Sequence, residues 1–159
     1  RAVMPTNLYG PGDDFVSENN SHVIPALLRR FHKAKMNNEK LVTVWGSGKA
    51  KREFMHVTDL ADACVKIMSA SKESLPHNQF GVLQHINIGS GQEITIRLLA
   101  EMISETVGYS GQIIFDTNMP DGTPRKLLNS KVLQNLGWKP AISLKEGLFS
   151  TYQHLQSME

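Results

Sequence analysis

Four places in this sequence combine residue types able to handle a charged, hydroxyl-rich molecule. His22 stands directly before a run of apolar residues at helical spacing, Val23, Ile24, Leu27, Leu28 and Phe31. A helix start offers free N–H groups and partial positive charge, so an imidazole there can act as acid, base or ligand contact. Its plain alternative is an exposed or capping imidazole. On the same helix, 100° per residue separates two arginines. Measured from His22, the apolar stripe centres near 170°, Arg29 falls at about 340°, away from the core, and Arg30 at about 80°, on the stripe's border. A border arginine can cover a site beside the core, which makes Arg30 the better candidate.

The stretch Trp45-Gly46-Ser47-Gly48-Lys49-Ala50-Lys51-Arg52 puts an aromatic, a flexible turn and an arginine fork in sequence. Arginine suits phosphate, and an aromatic can stack on a base or sugar. A buried tryptophan under an exposed turn reads equally well. In Pro120-Asp121-Gly122-Thr123-Pro124-Arg125-Lys126, Asp121 could accept two sugar hydroxyls, or the segment could be a surface turn. Gly89-Ser90-Gly91 invites a phosphate-loop reading, but it lacks the Lys-Ser/Thr of a P-loop and the third glycine of a dinucleotide turn. A tight strand-to-helix turn is the expectation. Cys64 falls on an apolar helix face and reads as core packing.

Alternating elements must carry these residues. An apolar strand is expected at residues 1–5, a loop at 7–14, and a helix after His22 that fades near Asn37-Asn38. Strands follow at 41–45 and 53–57. A helix capped by Thr58 then turns Leu60, Ala63, Cys64, Ile67 and Met68 inward. Residues 71–81 read as a polar loop and 85–88 as a strand. Thr95 caps a helix stopped by Gly108. A strand at 112–115, a long polar loop at 116–129 and a short helix at 130–136 come next. Ser143 and Glu146 form a capping box for the last helix. Strands alternating with helices give an α/β class.

Composition narrows the function. The 159 residues are 40% hydrophobic, ordinary for a globular chain. A formal net charge of +2 does not point to nucleic acid. The charge is uneven: residues 1–72 hold 11 Lys and Arg against 7 Asp and Glu, and the remainder holds 6 against 8. No apolar run is long enough for a membrane span. A single cysteine fits a reducing, cytoplasmic compartment. No cluster of Cys or His suggests a metal site. The apolar start at Arg1, without an initiator methionine, suggests a piece of a longer protein.

Taken together, Pro5-Thr6-Asn7-Leu8-Tyr9-Gly10-Pro11, the run from His22 to Arg30, Val44-Trp45-Gly46-Ser47-Gly48 with Arg52-Glu53-Phe54, His56-Val57 and Asp59, Asn87-Ile88-Gly89, the 120–126 run and Leu136-Gly137-Trp138 resemble the C-terminal half of the GDP-L-fucose synthases. These are extended short-chain dehydrogenase/reductases with a Rossmann-type parent fold. The resemblance implies a substrate-binding region over residues 1–159, with 1–20 and about 54–72 contributing to the parent's Rossmann domain. It implies epimerisation of GDP-4-keto-6-deoxy-D-mannose at C3 and C5, reduction at C4 with NADPH to GDP-L-fucose, and a homodimeric parent. It makes His22 catalytic, as the acid/base partner of a cysteine. It sets Pro5, Thr6, Asn7, Leu8 and His22 against NADP, and Arg30, Trp45, Arg52 and Asp121 against the GDP-sugar.

Some expected features are missing from these residues. No tyrosine has a lysine four positions on: Tyr9 meets Asp13, Tyr109 meets Ile113 and Tyr152 meets Gln156. The glycine-rich turn and the family's serine and cysteine are also absent. These features belong upstream of Arg1, so the chain by itself is expected to be inactive. The alternatives are another nucleotide-sugar epimerase or reductase of the same superfamily, and a non-catalytic nucleotide-binding module.

Overall fold

The computed structural model describes residues 1–16, 21–77 and 85–158. The strands are β1 (Val3–Pro5), β2 (Asn7–Tyr9), β3 (Leu41–Trp45), β4 (Lys51–His56), β5 (Ile86–Ile88), β6 (Glu93–Thr95), β7 (Gln112–Asp116) and β8 (Arg125–Lys126). The helices are α1 (Val23–Met36), α2 (Val57–Ser69), α3 (Ile96–Val107), α4 (Lys131–Asn135) and α5 (Leu144–Ser157). The mixture is α/β, as the alternating pattern requires.

Three sheet pieces hold the frame. β1 pairs with β5 and β3 with β7, both parallel. β4 is the hub: its last residues, Phe54 to His56, run parallel to β2, and its first residues are flanked on opposite edges by antiparallel β6 and parallel β8. Because successive strand residues face opposite ways, β4 divides two cores. Phe54 joins a core formed by Leu28 and Phe31 of α1, Val42 and Val44 of β3, Leu99 and Ile103 of α3, and Leu148 of α5. Met55 joins the other, with Ala63 and Ile67 of α2, Ile86, Ile88, Leu133 and Trp138.

Local chemistry fixes the helix ends. Thr95 caps α3, whose chain reverses at Gly108 in the left-handed region, φ +72°. Ser143 and Glu146 form the full capping box of α5. Pro25 sits in the first turn of α1, where no N–H is needed.

Several expectations are corrected. Residues 7–9 are a strand, because pairing with β4 overrides their turn-like composition. β4 starts and ends earlier than 53–57, and His56 rather than Thr58 caps α2, its imidazole accepting the Thr58 N–H. Met68 points to solvent. A short strand, β6, lies between Gly91 and α3, so Gly89-Ser90-Gly91 is a strand-to-strand turn. The polar loop at 116–129 contains β8. Part of the 71–81 loop lies outside the described residues; Lys72–Ser74 within it form one 3₁₀ turn.

Candidate substrate and cofactor site

α1, the end of β3, β4 and the segment between β7 and β8 surround a cavity of about 410 Å³. His22, Arg30, Trp45, Arg52 and Asp121 all line it. The five residues come from four separate parts of the chain. α1 delivers His22 and Arg30 by burying Leu27, Leu28 and Phe31. Val23, Ala26, Leu27, Val44, Phe54 and Ile96 form an apolar floor.

The two arginines are cations without carboxylate partners: neither is in an ion pair among the described residues. Arg30 donates Nη1 to the Thr43 carbonyl at 2.6 Å. Its Cζ lies 6.0 Å from the Trp45 ring centroid, at the outer limit of a cation–π contact. Burial, then the charge of Arg29, pulls its pKa below the usual arginine value. An anion in the cavity relieves both effects. Arg52 donates Nη1 to the carbonyls of Lys51 at 2.8 Å and Thr123 at 2.6 Å. Arg29, by contrast, points out of the cavity and holds the backbone carbonyls of Phe15 and Val16. The helix-angle choice between the two arginines matches this arrangement.

Trp45 is 60% exposed at the rim. It is not the buried residue of the plainer reading, and its face is open to stacking. Asp121 is at the rim too, but its carboxylate is turned onto Ser47 and already accepts two hydrogen bonds from it.

His22 is the N-cap residue of α1, yet its side chain makes no cap hydrogen bond. It lies on the wall between this cavity and a second of about 400 Å³, lined by residues 6–13, His22 and Val57. Asn7 is likewise shared. This second cavity runs along β2 and past its carboxyl end, the usual place for ligands on parallel strands. Thr6, Asn7 and Leu8 line it and Pro5 does not, because Pro5 is in β1 beside Ile88. Thr6 and Asn7 both donate to the Glu53 carbonyl, at 3.2 and 2.8 Å, leaving the Asn7 side-chain oxygen as an acceptor.

A third cavity, about 430 Å³, is lined by Tyr9, His56 and Asp59 among others. Ser150, outside that lining, lies 3.5 Å from His56, but this is no nucleophile–base pair. The Thr58 N–H takes the Nδ1 lone pair of His56, so the proton is on Nε2 and the ring donates toward Ser150. Asp59 is engaged by the N–H groups of Ala141 and Ile142. Cys64 packs at the edge of the second core. Among the described residues, no group of three or more His, Cys, Asp or Glu could hold a metal, and no helix is long and apolar enough to cross a membrane.

Sequence reasoning missed Glu53 as a site residue. It is fully buried in β4 and bonded through its carboxylate to two separate loops. Its signal was weak, because Lys51, Arg52 and His56 of the same strand make a charged residue there unremarkable.

The profile of the NAD dependent epimerase/dehydratase family matches residues 1–89, more than half of the chain. GDP-L-fucose synthase 1 of Arabidopsis thaliana is 55% identical over 149 residues, which are 94% of this chain and 43% of that one. The chain spans about half the length of the curated relatives it matches. A GDP-6-OMe-4-keto-L-xylo-heptose reductase from C. jejuni superposes with a TM-score of 0.87 at 32% identity, over 98% of this chain and 53% of that one. A GDP-L-fucose synthetase from Naegleria fowleri bound to NADP gives 0.82 at 27% identity, over 98% and 46%.

Proposed function

The chain belongs to the NAD dependent epimerase/dehydratase family, and we propose that it is the GDP-sugar-binding half of a GDP-L-fucose synthase. Its fold is the corresponding part of an extended short-chain dehydrogenase/reductase. The observation that carries the reading is the meeting of His22, Arg30, Trp45, Arg52 and Asp121 on one cavity, with His22 also facing a second. In this reading residues 1–20 and about 54–72 contribute to the parent's Rossmann domain, within a single substrate-binding region.

In this reading Arg30 and Arg52, neither of them in an ion pair among the described residues, neutralise the diphosphate. Trp45 covers the nucleotide or sugar at the rim. The C4 ketone of GDP-4-keto-6-deoxy-D-mannose acidifies the protons at C3 and C5. His22 holds an imidazole with no cap bond at the wall of the cavity, where it can return a proton to carbon on the face opposite its removal. The partner base lies in the other half.

The groove along β2 fits a nicotinamide cofactor: it offers small side chains, the Asn7 side-chain oxygen and His22 at the carboxyl end of a parallel strand. Thr6, Asn7, Leu8 and His22 would hold NADP there. When bound, that cofactor supplies the hydride for the C4 ketone. The residues present here orient it and the sugar from opposite sides of His22. The substrate, a homodimeric parent and a cytoplasmic site of action belong to the same reading.

The likeness to a C. jejuni GDP-keto-sugar reductase supports a second reading, a reductase without epimerisation. The test is turnover by the complete enzyme containing this segment, with GDP-4-keto-6-deoxy-D-mannose and NADPH, followed by product analysis. GDP-L-fucose is the expected product. An unepimerised GDP-6-deoxyhexose establishes the second reading, and no consumption of the keto-sugar overturns both.

A further inference from the structure

We propose that Glu53 is a positioning residue for Arg52, acting through the 123–128 segment. This rests on the GDP-sugar reading of the cavity. The Glu53 side chain is fully buried. Its Oε1 accepts the Gly91 N–H at 2.7 Å and its Oε2 accepts the Leu128 N–H at 3.0 Å. No ion pair among the described residues includes it. A buried carboxylate held only by backbone N–H groups is a costly way to stabilise a fold. It is, however, an effective way to hold two loops at fixed places, because each oxygen accepts from a different one.

The Leu128 bond lies at the end of a short chain of contacts. Just before Leu128, β8 pairs with β4, with Arg125 opposite Lys51 and Lys126 opposite Arg52. Just before β8, the Thr123 carbonyl accepts from Arg52 Nη1 at 2.6 Å. Glu53 therefore fixes the downstream end of the strand whose upstream end grips the Arg52 guanidinium. The other bond explains the Gly89-Ser90-Gly91 turn. A Cβ on Gly89 would lie 2.5 Å from Glu53 Oε1, so the backbone can approach the carboxylate only as glycine. Gly91, at φ +74°, then aims its N–H at the same oxygen. The turn that resembled a phosphate loop spends its N–H on Glu53.

The test is a double-mutant cycle in the complete enzyme: unsubstituted protein, Glu53→Gln, Arg52→Ala and the pair, each titrated with GDP. In Glu53→Gln one backbone N–H meets an NH₂ group, so one of the two loops comes loose. Glu53→Gln alone weakens GDP binding roughly tenfold, the effect of losing one charged hydrogen bond. In the Arg52→Ala background it adds less than about twofold, because the group it positions is gone. The KM for the GDP-sugar rises while kcat changes little. Equal weakening in both backgrounds, or none in either, overturns the inference. If Glu53→Gln does not fold, Glu53→Asp replaces it in the same cycle with the same two criteria. If the unsubstituted enzyme does not bind GDP, the GDP-sugar reading itself fails, and the inference with it.

Discussion

Asp121 holds Ser47 at two points, accepting its backbone N–H at 2.6 Å and its hydroxyl at 2.7 Å. The carboxylate that the sequence offers to sugar hydroxyls thus closes the 120–126 segment onto the turn after β3. These bonds hold its pKa below the usual carboxylate range, with the Ser47 hydroxyl the first cause and the Ser47 N–H the next. A depressed carboxylate pKa means that the clasp's contribution is complete above the ordinary Asp value and is lost as pH falls from there through the lower folded value.

Removing the clasp should loosen the rim without unfolding the protein. Asp121→Ala is expected to speed hydrogen exchange at the Ser47 amide and to weaken GDP binding by roughly tenfold. Asp121→Asn, which keeps an acceptor for the Ser47 N–H, should lose less. Unchanged exchange at Ser47 in Asp121→Ala contradicts the clasp.

Gly46 lets the two sides meet. Its φ is +81°, and a Cβ there would lie 2.4 Å from Asp121 Oδ1. Gly12 has a similar φ of +87° with nothing within 4 Å of the added carbon. Gly12→Ala should therefore cost only the backbone strain, about 1–2 kcal/mol. Gly46→Ala should cost more and also weaken GDP binding. Thermal melts of the two variants separate the terms, and equal melting shifts with equal GDP affinity would argue against a tight contact at Gly46.

The two neighbouring arginines of α1 should behave differently. Arg30→Ala is expected to weaken the GDP-sugar by roughly 1.5–3 kcal/mol, the range for a charged hydrogen bond. Arg29→Ala releases the carbonyls of Phe15 and Val16, and should lower stability with little change in affinity. Calorimetric titration of both variants checks this, and equal affinity losses would remove the distinction.

His56 gives the fold a pH dependence. Burial lowers its pKa below the usual histidine value, against the opposing pull of the Asp59 charge. The folded state thus resists protonation more than the unfolded chain does. Stability from this group is complete above an unfolded pKa of about 6.5 and falls as pH drops from there toward the lower folded value. Asn is also a good N-cap, so His56→Asn should keep the α2 cap while flattening the stability profile below about pH 6.5. An unchanged profile in urea melts would assign the dependence to another group.

Much of the fold was legible because its signals are local. The apolar spacing from Val23 to Phe31, the capping box at Ser143 and Glu146, and the left-handed Gly108 each identify an element within a few residues. Asn7–Tyr9 was not legible, since a three-residue strand of turn-like residues exists only through its pairing with Phe54, Met55 and His56. The site divides the same way. Arg30 could be separated from Arg29 by angle alone. The engagement of Asp121 could not be read, because its partner Ser47 is 74 positions away. Glu53 was hidden likewise, with partners on two loops at separations of 38 and 75.

His22 faces both cavities, and its chemistry is the most direct test of the proposed function. In the complete enzyme, His22→Asn keeps similar size and a hydrogen-bonding edge but cannot act as an acid. The measurement is product analysis after turnover of GDP-4-keto-6-deoxy-D-mannose with NADPH in deuterated solvent, with exchange at C3 and C5 followed separately. The expected result is epimerisation slowed by about 10²–10⁴-fold, the usual loss for a general acid, with GDP binding retained and an unepimerised or singly epimerised GDP-6-deoxyhexose as product. GDP-L-fucose formed at the unsubstituted rate would contradict it and leave His22 as a helix-end residue.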